Sequence, residues 1–256
     1  MKNDEQQHRA LFLNSFIKAS PELGAVFLNH SGAPDRLLTD IESIDILAES
    51  VVKEKALKFI TNHPLVSKVT TIPFFKMTEV WVEFHDHTAI RFRLIRSLIR
   101  KGMRCLSPKY IRESTTTNSF GMLVPSESVH FEYLVLATQF NKINLADRYR
   151  NHFTSLGFED RSKIFGHIHS QFSLVIHVLD DLYEYSPGIL FKLVLALRKR
   201  KCNSLFRILL RLIELTYFNI SKRLFIKEQV YQTKNTVAQA KAKIDAPVVA
   251  ADSAVS

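Results

Sequence analysis

Cysteine is nearly absent: Cys105 and Cys202 are the two in 256 residues, far apart and outside any metal-ligand spacing. That excludes a disulfide framework or a cysteine-built metal cluster and fits a reducing cytoplasm. Long apolar runs are missing as well. None approaches the roughly 20 residues that cross a bilayer, so no transmembrane helix is expected. The opening stretch, MKNDEQQHRALFLNSF, is polar and carries acids, unlike a secretory signal. No G-x-x-x-x-G-K-[ST] occurs, so a P-loop kinase is excluded. There is no internal repeat, and no Ser–His or Cys–His nucleophile signature. What is present, 46% apolar and 23% charged residues, describes a globular chain able to bury a sizeable core.

Acid is what one segment lacks. Residues 192–227 hold ten Lys/Arg against a single acid, Glu214, a net +9 out of the chain's +10. The stretches ILFKLVLALRKRK and LFRILLRLIELTYFNISKRLF set broad apolar faces beside those cations. They read first as helices packed on a domain with a basic face in water. A second reading is contact with an anionic membrane surface, apolar side chains inserting and cations meeting headgroups. Charge alone also allows nucleic acid, but no RNA- or DNA-binding motif accompanies it. HDHT (85–88) and GHIHS (166–170) each place two histidines two apart. Without further ligands at known spacing these read as solvated histidines.

Periodicity predicts a helix over 6–19, stopped by SPELG, with Leu11, Phe12, Phe16 and Ala19 on one face. Short strands follow at 25–30 (AVFLNH) and 43–48 (SIDILA), separated by the turn-rich SGAPDRLL. ESVVKEKALKFITNH (49–63) is an amphipathic helix with Val52, Ala56, Phe59 and Ile60 together. Strands are predicted over 66–75, 78–85 and 88–95, the last two joined by HDHT. ESTTTNSFGMLVPSES reads as a loop holding one short strand. From about 126 only helices are expected, including one over 203–226, and the last 25 or so residues read as a disordered tail.

Within this order, the run IESIDILAES sets Asp45 between branched apolar residues. Together with VWVEFHDHTAIRFRLIRSLIRKGMRCLSP, GMLVPSESVHFEYLVLATQFNKINLADRYRNHF and the basic helices, it covers roughly residues 25–225. In pattern and order the chain resembles the nucleotidyltransferase-like proteins of bacterial surface-polysaccharide biosynthesis loci. It resembles the stand-alone form, without a thymidylate-kinase-like P-loop domain. The resemblance implies an α+β fold. A nucleotidyltransferase-like mixed sheet with flanking helices would occupy 1–110, an all-helical region 111–228 and the tail 229–256.

The resemblance also implies a site. A Gly-Ser turn would hold the triphosphate, here Ser31 and Gly32 in HSG. A carboxylate pair at i and i+2 on the next strand would hold Mg²⁺, because those positions share one face. Asp45 is the principal candidate ligand, but Ser43 stands at its partner position. Asp40 and Glu42 in TDIE are two apart and offer another register. The third carboxylate is expected in AIRFRLI, where the chain has Arg91 and Arg93; Glu83 on the preceding strand is the substitute. Two functions follow. One is Mg²⁺-dependent transfer of a nucleotidyl group from an NTP to a small acceptor. The other is a catalytically degenerate homologue, an adaptor for a partner enzyme or for the anionic inner face of the membrane. In the second case Arg91 and Arg93 pair with Glu79 or Glu83, or hold a nucleotide's phosphates without metal. The resemblance implies a cytoplasmic location and says nothing of oligomeric state.

Overall fold

A computed structural model of the protein describes residues 7–29, 43–100, 103–141, 156–172 and 204–245. The first helix, α1 (Gln7–Leu23), buries Phe12, Leu13, Phe16, Ile17 and Ser20, a stripe that recurs at helical spacing. It runs through Pro21, past the predicted stop at SPELG. Its end is made by Gly24 at φ +70, with the Gly24 and Ala25 N–H groups donating to the Pro21 and Ser20 carbonyls. This is the paired closure for which glycine is favoured after a helix. Two short strands follow, β1 (Val26–Phe27) and β2 (Ile44–Leu47), then α2 (Ser50–Asn62). In α2, Ala56 and Ile60 are buried and Val52 and Phe59 lean on the core, as the 3–4 spacing predicts.

Three longer strands continue the chain: β3 (Val66–Phe74), β4 (Met77–Phe84) and β5 (Ala89–Ile95). The HDHT turn between β4 and β5 is organised by Asp86, whose Oδ1 accepts from both the Thr88 N–H and hydroxyl. His85 and His87 point into solvent there. After a small hairpin, β6 (Leu98–Arg100) with β7 (Met103–Leu106), comes α3 (Pro108–Glu113). Ser107 caps α3 through its hydroxyl and Pro108 opens it, a start signal present in the sequence although no helix is predicted there. The predicted loop with one strand is a hairpin of two, β8 (Thr115–Thr117) and β9 (Leu123–Pro125). Helices α4 (Glu127–Asn141), α5 (Phe158–Phe172) and α6 (Ser204–Asp245) complete the described residues.

The architecture is mixed α+β, with a seven-stranded sheet ordered β3-β4-β5-β2-β1-β9-β8. β2 runs parallel to β5 and β1 parallel to β9, while the other neighbours are antiparallel. One face of the sheet packs against α1 and α2. Phe12 and Phe16 meet Phe84, Phe92, Phe27 and Phe59 there, with ring centroids 5.1–6.3 Å apart. This aromatic cluster is buried together with Ile, Leu, Val and Ala side chains of α1, α2 and the sheet, and forms the core of the N-terminal part.

One expectation is corrected at the other end. The tail predicted over 229–256 is helical as far as Asp245, because α6 continues through it. The physical reason is legible: 204–245 contains neither Gly nor Pro, and its last part is rich in Ala, Lys and Gln. No helix among the described residues is long and apolar enough to cross a membrane.

A candidate site on the second face of the sheet

Strand alternation sorts the charges. Ile44 and Ile46 of β2, Ile90, Phe92 and Leu94 of β5, and Val80, Val82 and Phe84 of β4 belong to the aromatic core. The alternating residues therefore face the opposite side: Asp45, then Arg91 and Arg93, then Glu79, Trp81 and Glu83. Register aligns three of them in one row across the strands, with Asp45 beside Arg93 and Arg93 beside Glu79. The sheet thus carries an acid–base–acid row where an apolar row would otherwise sit.

The row closes on Asp45, which is 1% exposed. Its Oδ1 accepts from Arg93 Nε at 2.5 Å, and its Oδ2 accepts from Arg93 Nη2 at 2.5 Å. This is the two-pronged guanidinium–carboxylate geometry, the strongest form of charged pair. A third donor, the hydroxyl of Tyr133 from α4, reaches Oδ2 at 2.5 Å. The backbone is held as firmly. Asn29, just past β1, accepts from the Asp45 N–H at 2.9 Å and donates to the Ser43 carbonyl at 2.8 Å. Its side-chain amide thereby extends the ladder beyond the end of the two-residue strand.

Arg93 is held as a cation. Burial would lower its pKa, but the Asp45 carboxylate, Tyr133 and Glu79 outweigh burial and the net direction is upward. Glu79 behaves oppositely: burial pushes its carboxyl up, and the nearby Arg91 and Arg93 only partly offset this. Its Oε1 lies 3.6 Å from Arg91 Nη1. Arg91 in turn lies over two rings that also touch each other, 5.2 Å from the centre of Trp81 and 5.9 Å from that of Phe225 on α6. Helix α6 lies over this part of the sheet, with Ser221 donating to the Pro73 carbonyl and Tyr217 meeting Phe75 at 5.9 Å. Lys68 Nζ sits 3.6 Å over the Tyr231 ring.

The residues expected to gather at a metal do so only in part. Asp45 and Arg93 are together. Ser43 shares their face and is buried, its carbonyl engaged by Asn29. Glu83 is on the same face but pairs in register with Ala89, four residues along β4 from Glu79, about 13 Å at the usual strand rise. It does not converge with Asp45; Glu79 takes the nearer place. Arg91 pairs with Glu79, one of the two partners expected for it. Ser31, Gly32, Asp40 and Glu42 lie outside the described residues. Among the described residues no group of three His, Cys, Asp or Glu is arranged to hold a metal. The donor chemistry agrees: a guanidinium beside Asp45 repels Mg²⁺, and both carboxylate oxygens already have donors. Tyr133 is the site residue that sequence reasoning misses. Its one signal is a hydroxyl at the head of the otherwise apolar YLVLA stretch of α4.

No protein-family model matches the chain, and no curated protein matches it. Among solved structures it is similar to the crystal structure of JHP933 from Helicobacter pylori. The likeness is 10% sequence identity over 89% of this chain and 99% of that one, with a TM-score of 0.33. So distant a likeness supports no statement about the site.

Proposed function

We propose that this chain is a nucleotidyltransferase-like protein in which Asp45 has passed from metal chemistry to structure. It works as a binding or adaptor protein in surface-polysaccharide assembly. The sequence resemblance supplies the setting. One observation carries the change of role: the Asp45 carboxylate is buried, with both oxygens taken by Arg93 and Tyr133. For Mg²⁺ to bind there, Arg93 would have to leave, and its cation would still be close enough to oppose the ion.

The adaptor surface in this reading is the outward side of α6. Leu212, Leu215, Ile226 and Val230 are exposed there beside Lys222, Arg223 and Lys227. Apolar groups interspersed with cations suit the anionic inner face of a membrane, where each cation near the surface contributes about 1 kcal/mol.

Two measurements on the full chain test the proposal. Adding Mg²⁺ or Mn²⁺ to each NTP is expected to cause no metal-dependent change in melting temperature and to release no pyrophosphate. Vesicles containing anionic lipid are expected to float the protein, and Lys222→Glu with Arg223→Glu to abolish flotation. Metal-dependent pyrophosphate release that Asp45→Ala removes would reinstate the transferase, with Mg²⁺ held by Asp45 and by Asp40 or Glu42. Equal recovery on neutral and anionic vesicles would remove the membrane role.

A further inference from the structure

A cavity of about 240 Å³ opens beside the C-terminal ends of the parallel strands β2 and β5, away from Asp45. Three cations line it: Lys53 from the first turns of α2, Lys76 from the β3–β4 turn and Arg96 just after β5. No acid lines it among the described residues. None of the three cations has an ion pair with any described residue; the Lys76 ammonium lies 5.6 Å from the centre of the Phe75 ring. Ser50, at the N-terminal end of α2, and Tyr217 of α6 add polar atoms to the wall. Three like charges around one hollow repel one another, and an anion between them reverses the sign of that interaction.

The segments that carry the cations are tied together through the backbone. The Lys76 carbonyl accepts from the Arg96 N–H at 2.8 Å and from the Ser97 N–H at 3.4 Å, locking the hairpin turn to the end of β5. The Ala48 N–H donates to the Ile95 carbonyl at 2.8 Å, which ties the approach to α2 to the same place. Lys76 itself adopts φ +60, an uncommon conformation for a lysine, at the position that turns its side chain to the cavity wall. The N-terminal end of α2 adds its positive dipole end to the same hollow. The aromatic pair Phe75 and Tyr217 closes one side.

We propose that this cavity is a binding site for a small phosphate monoester, the phosphate held by Lys53, Lys76 and Arg96. The organic part, the size of one sugar ring, lies against Phe75 and Tyr217. The volume, about 240 Å³, is too small for an extended polymer and lies below the range of drug-sized ligand pockets, about 300–1,000 Å³, which limits the occupant to a small ester. The site is independent of the Asp45 reading, since it shares no residue with the Asp45–Arg93–Glu79 row. It also spans the sheet and α6 through Tyr217, so a bound ester would hold α6 against the β3–β4 hairpin.

Isothermal titration of the full chain with glucose 1-phosphate, AMP and inorganic phosphate, at matched ionic strength with chloride, is the test. Saturable binding of at least one ester, tighter than inorganic phosphate, is expected. Lys53→Gln combined with Arg96→Gln should weaken it by about tenfold or more, since two charge-assisted contacts are lost. Tyr217→Ala provides a second variant that removes the ring packed on Phe75 and is expected to weaken the ester more than inorganic phosphate. No saturable binding at millimolar ligand would overturn the site. So would unchanged binding in the double variant with an intact melting curve. Inorganic phosphate bound as tightly as every ester would overturn the ester assignment.

Discussion

Asp45→Asn keeps the shape of the side chain and removes its charge, which leaves Arg93 a cation beneath α4 with no full countercharge on β2. Breaking a buried pair from one side costs about 3–5 kcal/mol. Arg93 keeps some contact with water, its side chain being 26% exposed, so the lower end, about 3 kcal/mol, is expected. The converse change, Arg93→Leu, strands a carboxylate that is 1% exposed and should cost more, about 4 kcal/mol. For a domain of this size, about 3 kcal/mol corresponds to a fall in melting temperature of roughly 6–12 °C. Combining the two changes removes both charges, and the double variant should be more stable than the sum of the singles predicts by about 2–3 kcal/mol. Urea denaturation of the four proteins, followed by fluorescence of the single tryptophan, Trp81, closes the cycle. If Asp45→Asn melts within a degree or two of the parent, or the single changes simply add, then Asp45 is not chiefly a partner of Arg93. The structural role assigned to it then fails.

Other consequences are as direct. Glu79 has its pKa raised by burial, so its stabilising contribution is present below the unfolded carboxyl pKa of about 4.3 and is lost as pH rises through the folded value. Glu79→Gln should therefore gain melting temperature relative to the parent as pH rises from 4 to 7, and a difference independent of pH would contradict this. Glu49 has the opposite sign: its two hydrogen bonds from Arg112 hold the carboxyl low. That contribution is present above about pH 4.3 and lost on acidification. Arg112 also donates to the Gly24 carbonyl at 2.9 Å, and the pair is about one-third exposed. Arg112→Ala is thus expected to cost about 1 kcal/mol at neutral pH and less in acid, read from paired thermal melts. Phe225→Ala removes the ring that meets Trp81 at 6.0 Å, so tryptophan emission should shift to the red while far-ultraviolet circular dichroism is retained. Phe16→Ala opens the aromatic core and is expected to cost about 3–5 kcal/mol by chemical denaturation.

Much of the N-terminal architecture can be read along the chain, because period-2 and period-3.6 patterns are local. The β2, β4 and β5 strands and the buried face of α2 sit where those patterns put them. The alternation in SIDIL and AIRFRLI also sets Asp45 and the arginines on the face opposite the core. The failures are of two kinds. In α1 and the far end of α6, helix propensity outweighed the apparent breakers, Pro21 in one case and a polar composition in the other, while α3 opens on a start signal, Ser107 and Pro108, and is too short to show a periodic face. In the site, the sequence offers Glu83 where the structure places Glu79, because strand composition cannot say which rung of a hairpin faces a third strand. Register settled that, through the length of the HDHT turn and the pairing of Glu79 with Arg93.

Local patterning therefore accounts for the elements and for which side of each strand is charged, since neighbouring residues suffice to express a pleat or a helical stripe. Whether Asp45 meets a metal or a guanidinium is a different kind of fact. It depends on a parallel pairing between strands 48 residues apart and on a tyrosine 88 residues away on a helix folded over the sheet. The cavity of Lys53, Lys76 and Arg96 likewise exists because the start of α2, the β3–β4 turn and the end of β5 are tied together by backbone hydrogen bonds. Long-range pairing and packing create such neighbours, and no short stretch of sequence contains them.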